Sequence, residues 1–412
     1  MINFEKFVLP NGLKVIVHKD TSTPIVAVNI LYNVGSKDEH PDRTGFAHLF
    51  EHLMFGGSAN IPKYDMPLQL TGGENNAFTN SDFTNYYLTL PKQNIETAFW
   101  LESDRMKELA FSEKSLNVQR NVVVEEFKQS YLNQPYGDVF LLLKPMAYKV
   151  HPYQWNTIGK DISHIQNASI RDVKDFFKKF YCPNNAIMVV AGDVDADQIL
   201  KLSQKWFGPI PKGEHKLRKL PAEPIQNEHR SLTVERKVPQ NAIYKAYHCC
   251  ARSDNEFYTT DLISDILSNG RSSRLFRELV MEQKLFSEIN ASLTGDLDKG
   301  LMVVEGMLSE GITMEKAEKA ILNELNKICI KQPHKSELEK VQNKIESTLV
   351  FSEINVLNKS MNLAFSELIG DASLINSEID KYKKVTPAMI KKQANKIFKE
   401  TNCSTLYYRR HK

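Results

Sequence analysis

Three ionisable residues sit inside an otherwise apolar run, Gly45-Phe46-Ala47-His48-Leu49-Phe50-Glu51-His52-Leu53-Met54-Phe55-Gly56. The run contains no proline and stops at Gly56-Gly57, which predicts a buried helix over residues 48–55. On a helix, His48 and His52 lie one turn apart on the same face, so their rings can converge on one ion. Glu51 is three residues from His48, on a neighbouring strip. It can reach a water at that ion without binding the ion itself. Buried ionisable groups are unfavourable unless paired or metal-bound. Two imidazoles with a nearby carboxylate suit Zn2+. The alternative is a pair of core histidines bonded to backbone carbonyls. The H-x-x-E-H spacing favours the metal.

A catalytic zinc takes three protein ligands and keeps one position open. The third ligand must come from another element. Val122-Val123-Val124-Glu125-Glu126-Phe127 offers two adjacent glutamates in a partly apolar helical stretch. Neighbouring helix positions differ by about 100°, so one of the pair can face the ion. Periodicity does not choose between them.

The elements that position these groups can be read in order. Residues 12–18, 24–34 and 84–90 have the pattern of strands, and 72–79 reads as a turn entering another. Helices are expected over 95–107 and from Ser112, a plausible N-cap, to about 132. Ser169 should cap a helix ending near 180, followed by a buried strand over 185–192 and a helix over 195–207. The alternation predicts an α+β fold of α/β layers. Residues 208–230 carry Pro209, Pro211, Pro221 and Pro224 among many charges, and read as a linker.

The second half repeats the first. Thr23-Pro24-Ile25-Val26 aligns with Gln240-Asn241-Ala242-Ile243, an offset of 217 residues, and Ser169 aligns with Thr386 at the same offset. Two homologous domains related by internal duplication are expected: residues 1–208 bearing the metal ligands, a linker over 209–230, and residues 231–412. The shift carries His48, Glu51 and His52 onto Asp265, Ser268 and Asn269. The second domain therefore has the helix without the ligands, and the fold itself does not require them.

The 412 residues suit two domains. Composition is ordinary for a globular chain, with 42% hydrophobic and 25% charged residues. A net charge of +3 gives no reason to expect nucleic acid or a membrane surface as partner. The one basic cluster, over 216–219, lies in the linker. No basic segment followed by an apolar stretch opens the chain, and no run is long enough to span a membrane. The five cysteines show no zinc-knuckle or disulfide spacing and read as reduced thiols, pointing to a cytoplasmic protein. Cys249 and Cys250 fall in a strand-like run, where their side chains should point to opposite faces.

His48-Leu49-Phe50-Glu51-His52, followed about 75 residues later by a Val-x-x-Glu helix, resembles the pitrilysin / insulinase / mitochondrial processing peptidase family. Asn76-Ala77-Phe78-Thr79 with Thr84-Asn85-Tyr86-Tyr87 is similar to that family's next block. Gly270-Arg271-Ser272-Ser273-Arg274-Leu275 is similar to its second-domain block. The resemblance spans the chain and implies a half-clamshell of the bacterial, roughly 400-residue type. It implies one Zn2+ on His48, His52 and Glu126, with Glu51 as general base. The chain departs from the family at two places. Gln119 stands where a supporting glutamate is usual, seven residues before Glu126. Val280 and Ser287 stand where an arginine and a tyrosine usually grip the substrate.

The implied function is zinc-dependent hydrolysis of peptides or unfolded segments inside a chamber. Asn76, Ala77 and Phe78 on an exposed strand edge would hold an extended substrate. The resemblance implies a dimer, and the missing Arg/Tyr pair implies a heterodimer with a homologous chain that lacks the zinc motif and supplies the grip. The competing reading is a non-catalytic scaffold or partner subunit of the same fold, and bound metal separates the two.

Overall fold

The computed structural model describes residues 1–214 and 219–411. Residues 216–218 of the basic linker cluster lie outside the described residues. The chain forms two compact units. One comprises Met1–Gln129, Trp155–Leu220 and Val350–Ser377; the other comprises Ser130–Gln154, Pro221–Leu349 and Glu378–Lys412.

In the first unit, β1 (Glu5–Val8), β2 (Lys14–Lys19), β3 (Ile25–Tyr32), β4 (Glu74–Thr79), β5 (Thr84–Pro91) and β6 (Ala186–Gly192) form one sheet in the order β1-β2-β6-β3-β5-β4. In the second, β7 (Arg230–Arg236), β8 (Ala242–His248), β9 (Phe286–Leu293), β10 (Leu301–Leu308) and β11 (Cys403–Arg410) form another in the order β7-β11-β8-β10-β9. Without β1 the two orders coincide strand for strand. Each sheet has a single parallel pair at the same place, β2 with β6 and β7 with β11. The starts of β3 and β8 (25 and 242), β5 and β10 (84 and 301), and β6 and β11 (186 and 403) all differ by 217. The internal repeat is therefore a repeat of topology.

The division at the linker needs correction. Both faces of each sheet's centre are apolar; every residue of β6 is buried. Such a sheet needs cover on both faces. The cover on one face comes from the other half of the chain. Val139, Leu143 and Ala147, on the helix Val139–Ala147, pack against Ala242, Tyr244, Ala246 and Leu406 of the second sheet. Leu363 and Ala364, on the helix Val356–Leu368, pack against Ile16, Leu31 and Val189 of the first. Val356 of that helix joins Ala27 and Ala191. The two exchanged helices begin at 139 and 356, again 217 apart.

The linker region contains no helix or strand among its described residues before Arg230, which already opens β7. Its second part is nevertheless anchored. The Glu223 carboxylate accepts the N–H groups of Lys149, Val150 and His151, and buried Gln226 donates to the Cys403 carbonyl. Cys249 and Cys250 lie just past the end of β8, outside the strand alternation. The Cys249 thiol donates to the Cys250 carbonyl and the Cys250 thiol to the Thr260 hydroxyl, so the strand rule behind the expectation of opposite faces does not apply to them.

Candidate metal centre

The motif helix spans Phe46–Leu53 and buries Phe46, Ala47, Leu49, Phe50 and Leu53. Phe50 stacks on Phe176 and Tyr181, at 4.9 and 5.1 Å between ring centres. The Tyr86 hydroxyl donates to the Phe50 carbonyl (3.3 Å). Below the helix's C-terminal end, buried Arg105 donates to both oxygens of Glu102 and lies against the rings of Phe55, Tyr64 and Tyr86. Packing on these sides turns His48, Glu51 and His52 towards the remaining, partly open face.

That face meets the helix Glu113–Phe127. Ser112 caps it, accepting the Ser115 N–H, and a π-turn over Lys128–Leu132 extends it. The helix sends Glu126 inward and Glu125 outward, where Glu125 pairs with Lys128 at 2.6 Å. Packing thus makes the choice that periodicity left open.

His48, His52 and Glu126 form the one group of three or more His, Cys, Asp or Glu side chains, among the described residues, whose ligand atoms converge. His48 Nε2 and His52 Nε2 are 3.4 Å apart. Glu126 Oε2 is 3.6 Å from the first and 3.4 Å from the second. All three separations exceed an ordinary N–H···O bond, about 2.7–3.2 Å. They match the edge of a tetrahedron with ligand bonds near 2.0–2.1 Å, about 3.3–3.4 Å. The donor set and its spacing therefore fit a zinc ion.

The electrostatics suit the same ion. Burial, the largest influence, holds His48 below its ordinary value; His52 adds to this, while Glu126 and Glu51 oppose it. The His52 imidazole beside it holds the Glu126 carboxyl below the usual range against partial burial. A neutral imidazole and an ionised carboxylate are the forms that bind a metal. His48 Nδ1 is buried with no hydrogen-bond partner.

Glu51 is half-buried and outside the ligand triangle. Gln119 is half-buried, with its amide nitrogen facing Gly56 beyond the motif helix. Asn76 and Phe78 are exposed and Ala77 buried on β4, an outer strand of its sheet that touches the motif helix. The Asn76 side-chain oxygen accepts the Ala77 N–H at 2.8 Å. In the second unit, Val280 packs partly buried against the core. Exposed Ser287, on the outer strand β9, donates to Gln240.

At the counterpart of the triad, Asn269 donates to Asp265 and accepts from Lys344. A lysine ammonium thus stands beside the residues that correspond to the two histidines.

Sequence reasoning missed Glu39. This carboxylate, 1% exposed, accepts the Gly45 N–H (2.9 Å) and the Ala47 N–H (2.8 Å) at the start of the motif helix. It sits in a loop without periodicity, so nothing in the local pattern marks it.

The family model for Insulinase (peptidase family M16) matches residues 14–161, and the model for the peptidase M16 inactive domain matches residues 167–345. A Helicobacter pylori relative named zinc protease PqqE is 29% identical over 413 aligned positions, covering 98% of this chain and 92% of its own. The crystal structure of a protease from Helicobacter pylori superposes with a TM-score of 0.94 at 26% identity, covering 99% of this chain and 100% of that one. The periplasmic protease PqqL from Escherichia coli superposes with a TM-score of 0.80 at 18% identity; 99% of this chain covers 48% of that one. Two mixed α/β domains repeating one topology, together with these matches, place the chain in the M16 peptidase family.

Proposed function

We propose that the chain is a zinc-dependent peptidase that cleaves peptides or unfolded segments. The observation that carries the reading is the convergence of His48, His52 and Glu126 at tetrahedral spacing, with Glu51 adjacent but not part of the triangle. Zinc, when bound there, polarises the scissile carbonyl and makes water a better nucleophile near neutral pH. Glu51 takes a proton from the attacking water and passes it to the departing amine as the C–N bond breaks. The substrate adds in extended form to the open edge of β4, beside the motif helix. Because Asn76 already occupies the Ala77 N–H, an incoming strand that uses this donor must displace the amide side chain. Main-chain recognition of this kind reads little sequence, which favours unfolded segments over folded proteins.

The substrate grip is proposed to come from a second, homologous chain. Val280 and Ser287 offer neither a cation nor a phenol, and the superposable PqqL chain is about twice as long as this one. No helix among the described residues is long and apolar enough to cross a membrane. Five free thiols support a reducing compartment.

The test is a pull-down from the native cell, followed by metal analysis and turnover of a fluorogenic unfolded peptide by the recovered complex and by the chain alone. One zinc per chain and turnover greatest in the complex are expected. A complex that holds zinc but hydrolyses no peptide would overturn the reading.

A further inference from the structure

The motif helix is two turns long, and helices this short are marginal on their own. It also lacks the usual means of closing its first turn. Its N-cap, Gly45, has no side chain to contribute, and no acidic residue stands in the first turn. Nor could another residue replace Gly45. Its φ is +91°, and a Cβ there would meet the Ile158 carbonyl oxygen and Ile165 Cδ1 at 2.7 Å. The free N–H groups and the positive end of the helix dipole must be satisfied from elsewhere.

Glu39 does this, with one oxygen on each of two backbone donors, Gly45 and Ala47. Ala47 immediately precedes His48, so the contact lies one residue from a proposed ligand.

The turn that carries Glu39 is itself fixed to the hairpin containing β4. The Ser36 N–H donates to the Asn80 carbonyl and the Lys37 N–H to the Ser81 carbonyl, both between β4 and β5. Lys37 pairs with Asp82 at 2.7 Å, with both side chains largely buried. Gly35 packs so closely that a Cβ would come within 2.5 Å of the Ser81–Asp82 backbone. Trp155 Nε1 holds the Ser36 carbonyl from the other side (2.8 Å). Residues 35–39 therefore form a strut from the proposed substrate strand to the first turn of the helix bearing the metal ligands.

We propose that Glu39 is a positioning residue: it sets His48 and His52 at ligand spacing and fixes them relative to the β4 edge. This rests on the metal-centre reading above. Glu39→Gln keeps the shape but puts an amide NH2 opposite one backbone N–H, so one acceptor is lost. Glu39→Asp keeps the carboxyl group but is one methylene short of reaching both donors.

The experiment measures zinc affinity of the full chain by competition with a chromogenic chelator. Thermal midpoints are taken in chelator and in excess zinc. Leu363→Ala, in the core cluster under the exchanged helix Val356–Leu368, serves as a control for general destabilisation. Glu39→Gln is expected to weaken zinc binding by about 10-fold or more, the range seen when outer-shell partners of a metal site are lost. The zinc-induced rise in its midpoint should shrink, with Glu39→Asp in between. Leu363→Ala should lower the metal-free midpoint and leave affinity unchanged. Wild-type affinity in both folded Glu39 variants overturns the inference while leaving the metal centre standing. So does an affinity loss in Leu363→Ala equal to that in Glu39→Gln. Failure of the wild-type chain to bind zinc overturns the metal-centre reading, and this inference with it.

Discussion

Glu126 Oε2 lies 3.4 Å from His52 Nε2, while Glu125, one residue earlier, reaches away to Lys128. The two carboxylates are separated by one helical step and have opposite surroundings. Glu126→Ala should therefore abolish stoichiometric zinc by elemental analysis, as should His48→Ala. Glu125→Ala, which breaks an exposed ion pair worth about 0.2–1 kcal/mol at most, should retain full zinc. Zinc retained at full occupancy in Glu126→Ala would move the third ligand elsewhere.

Glu51→Gln separates binding from chemistry. Glu51 stands outside the ligand triangle, so the variant should hold zinc at wild-type occupancy. The amide cannot accept the proton, and kcat on a quenched-fluorescence peptide should fall by about 10²–10⁴-fold, the usual worth of a positioned general base. Normal turnover by the variant would remove Glu51 from that role.

The β4 edge can be probed through its backbone. Ala77→Pro deletes an N–H that the structure shows bonded to the Asn76 side chain. KM for an extended peptide should rise several-fold while zinc content stays constant. Unchanged KM would place the substrate on another edge.

Acid should loosen the first unit through Glu367. Burial pushes this carboxyl up, but hydrogen bonds from Lys14 and Lys6 outweigh it and hold the group below its ordinary value. Asp20 is likewise held low, burial being outweighed chiefly by Lys359. Glu367 and Lys359 both sit on the exchanged helix Val356–Leu368, so these pairs tie it to the first sheet's unit. A carboxyl depressed on folding stabilises above its unfolded pKa, about 4.3 for glutamate, and that contribution fades as pH falls through the folded value. The urea midpoint should drop as pH is lowered below about 4, and Glu367→Gln should flatten that drop. An unchanged slope would mean that other groups govern the acid response.

Much of this was legible in the sequence because it depends on local rules. The Ser112 and Ser169 caps lie where a hydroxyl precedes an apolar-periodic run, and both accept a backbone N–H as expected. The 217-residue offset was readable from two short alignments. What could not be read was partnership at long range. Val139, Leu143 and Ala147 present the same apolar stripe whichever sheet they cover, so the exchange of helices left no mark in the pattern. The strand Glu5–Val8 is short and mostly exposed, and offered no alternation to find. Glu125 and Glu126 were equivalent until packing oriented their helix.

The helix exchange also orders events in time. The first sheet cannot gain its second cover until residues near the end of the chain have left the ribosome, although its own strands are complete by Gly192. At about 5–20 residues per second, an apolar face must wait uncovered for many seconds during synthesis. That interval makes the nascent chain, rather than the finished protein, the form most dependent on chaperone protection.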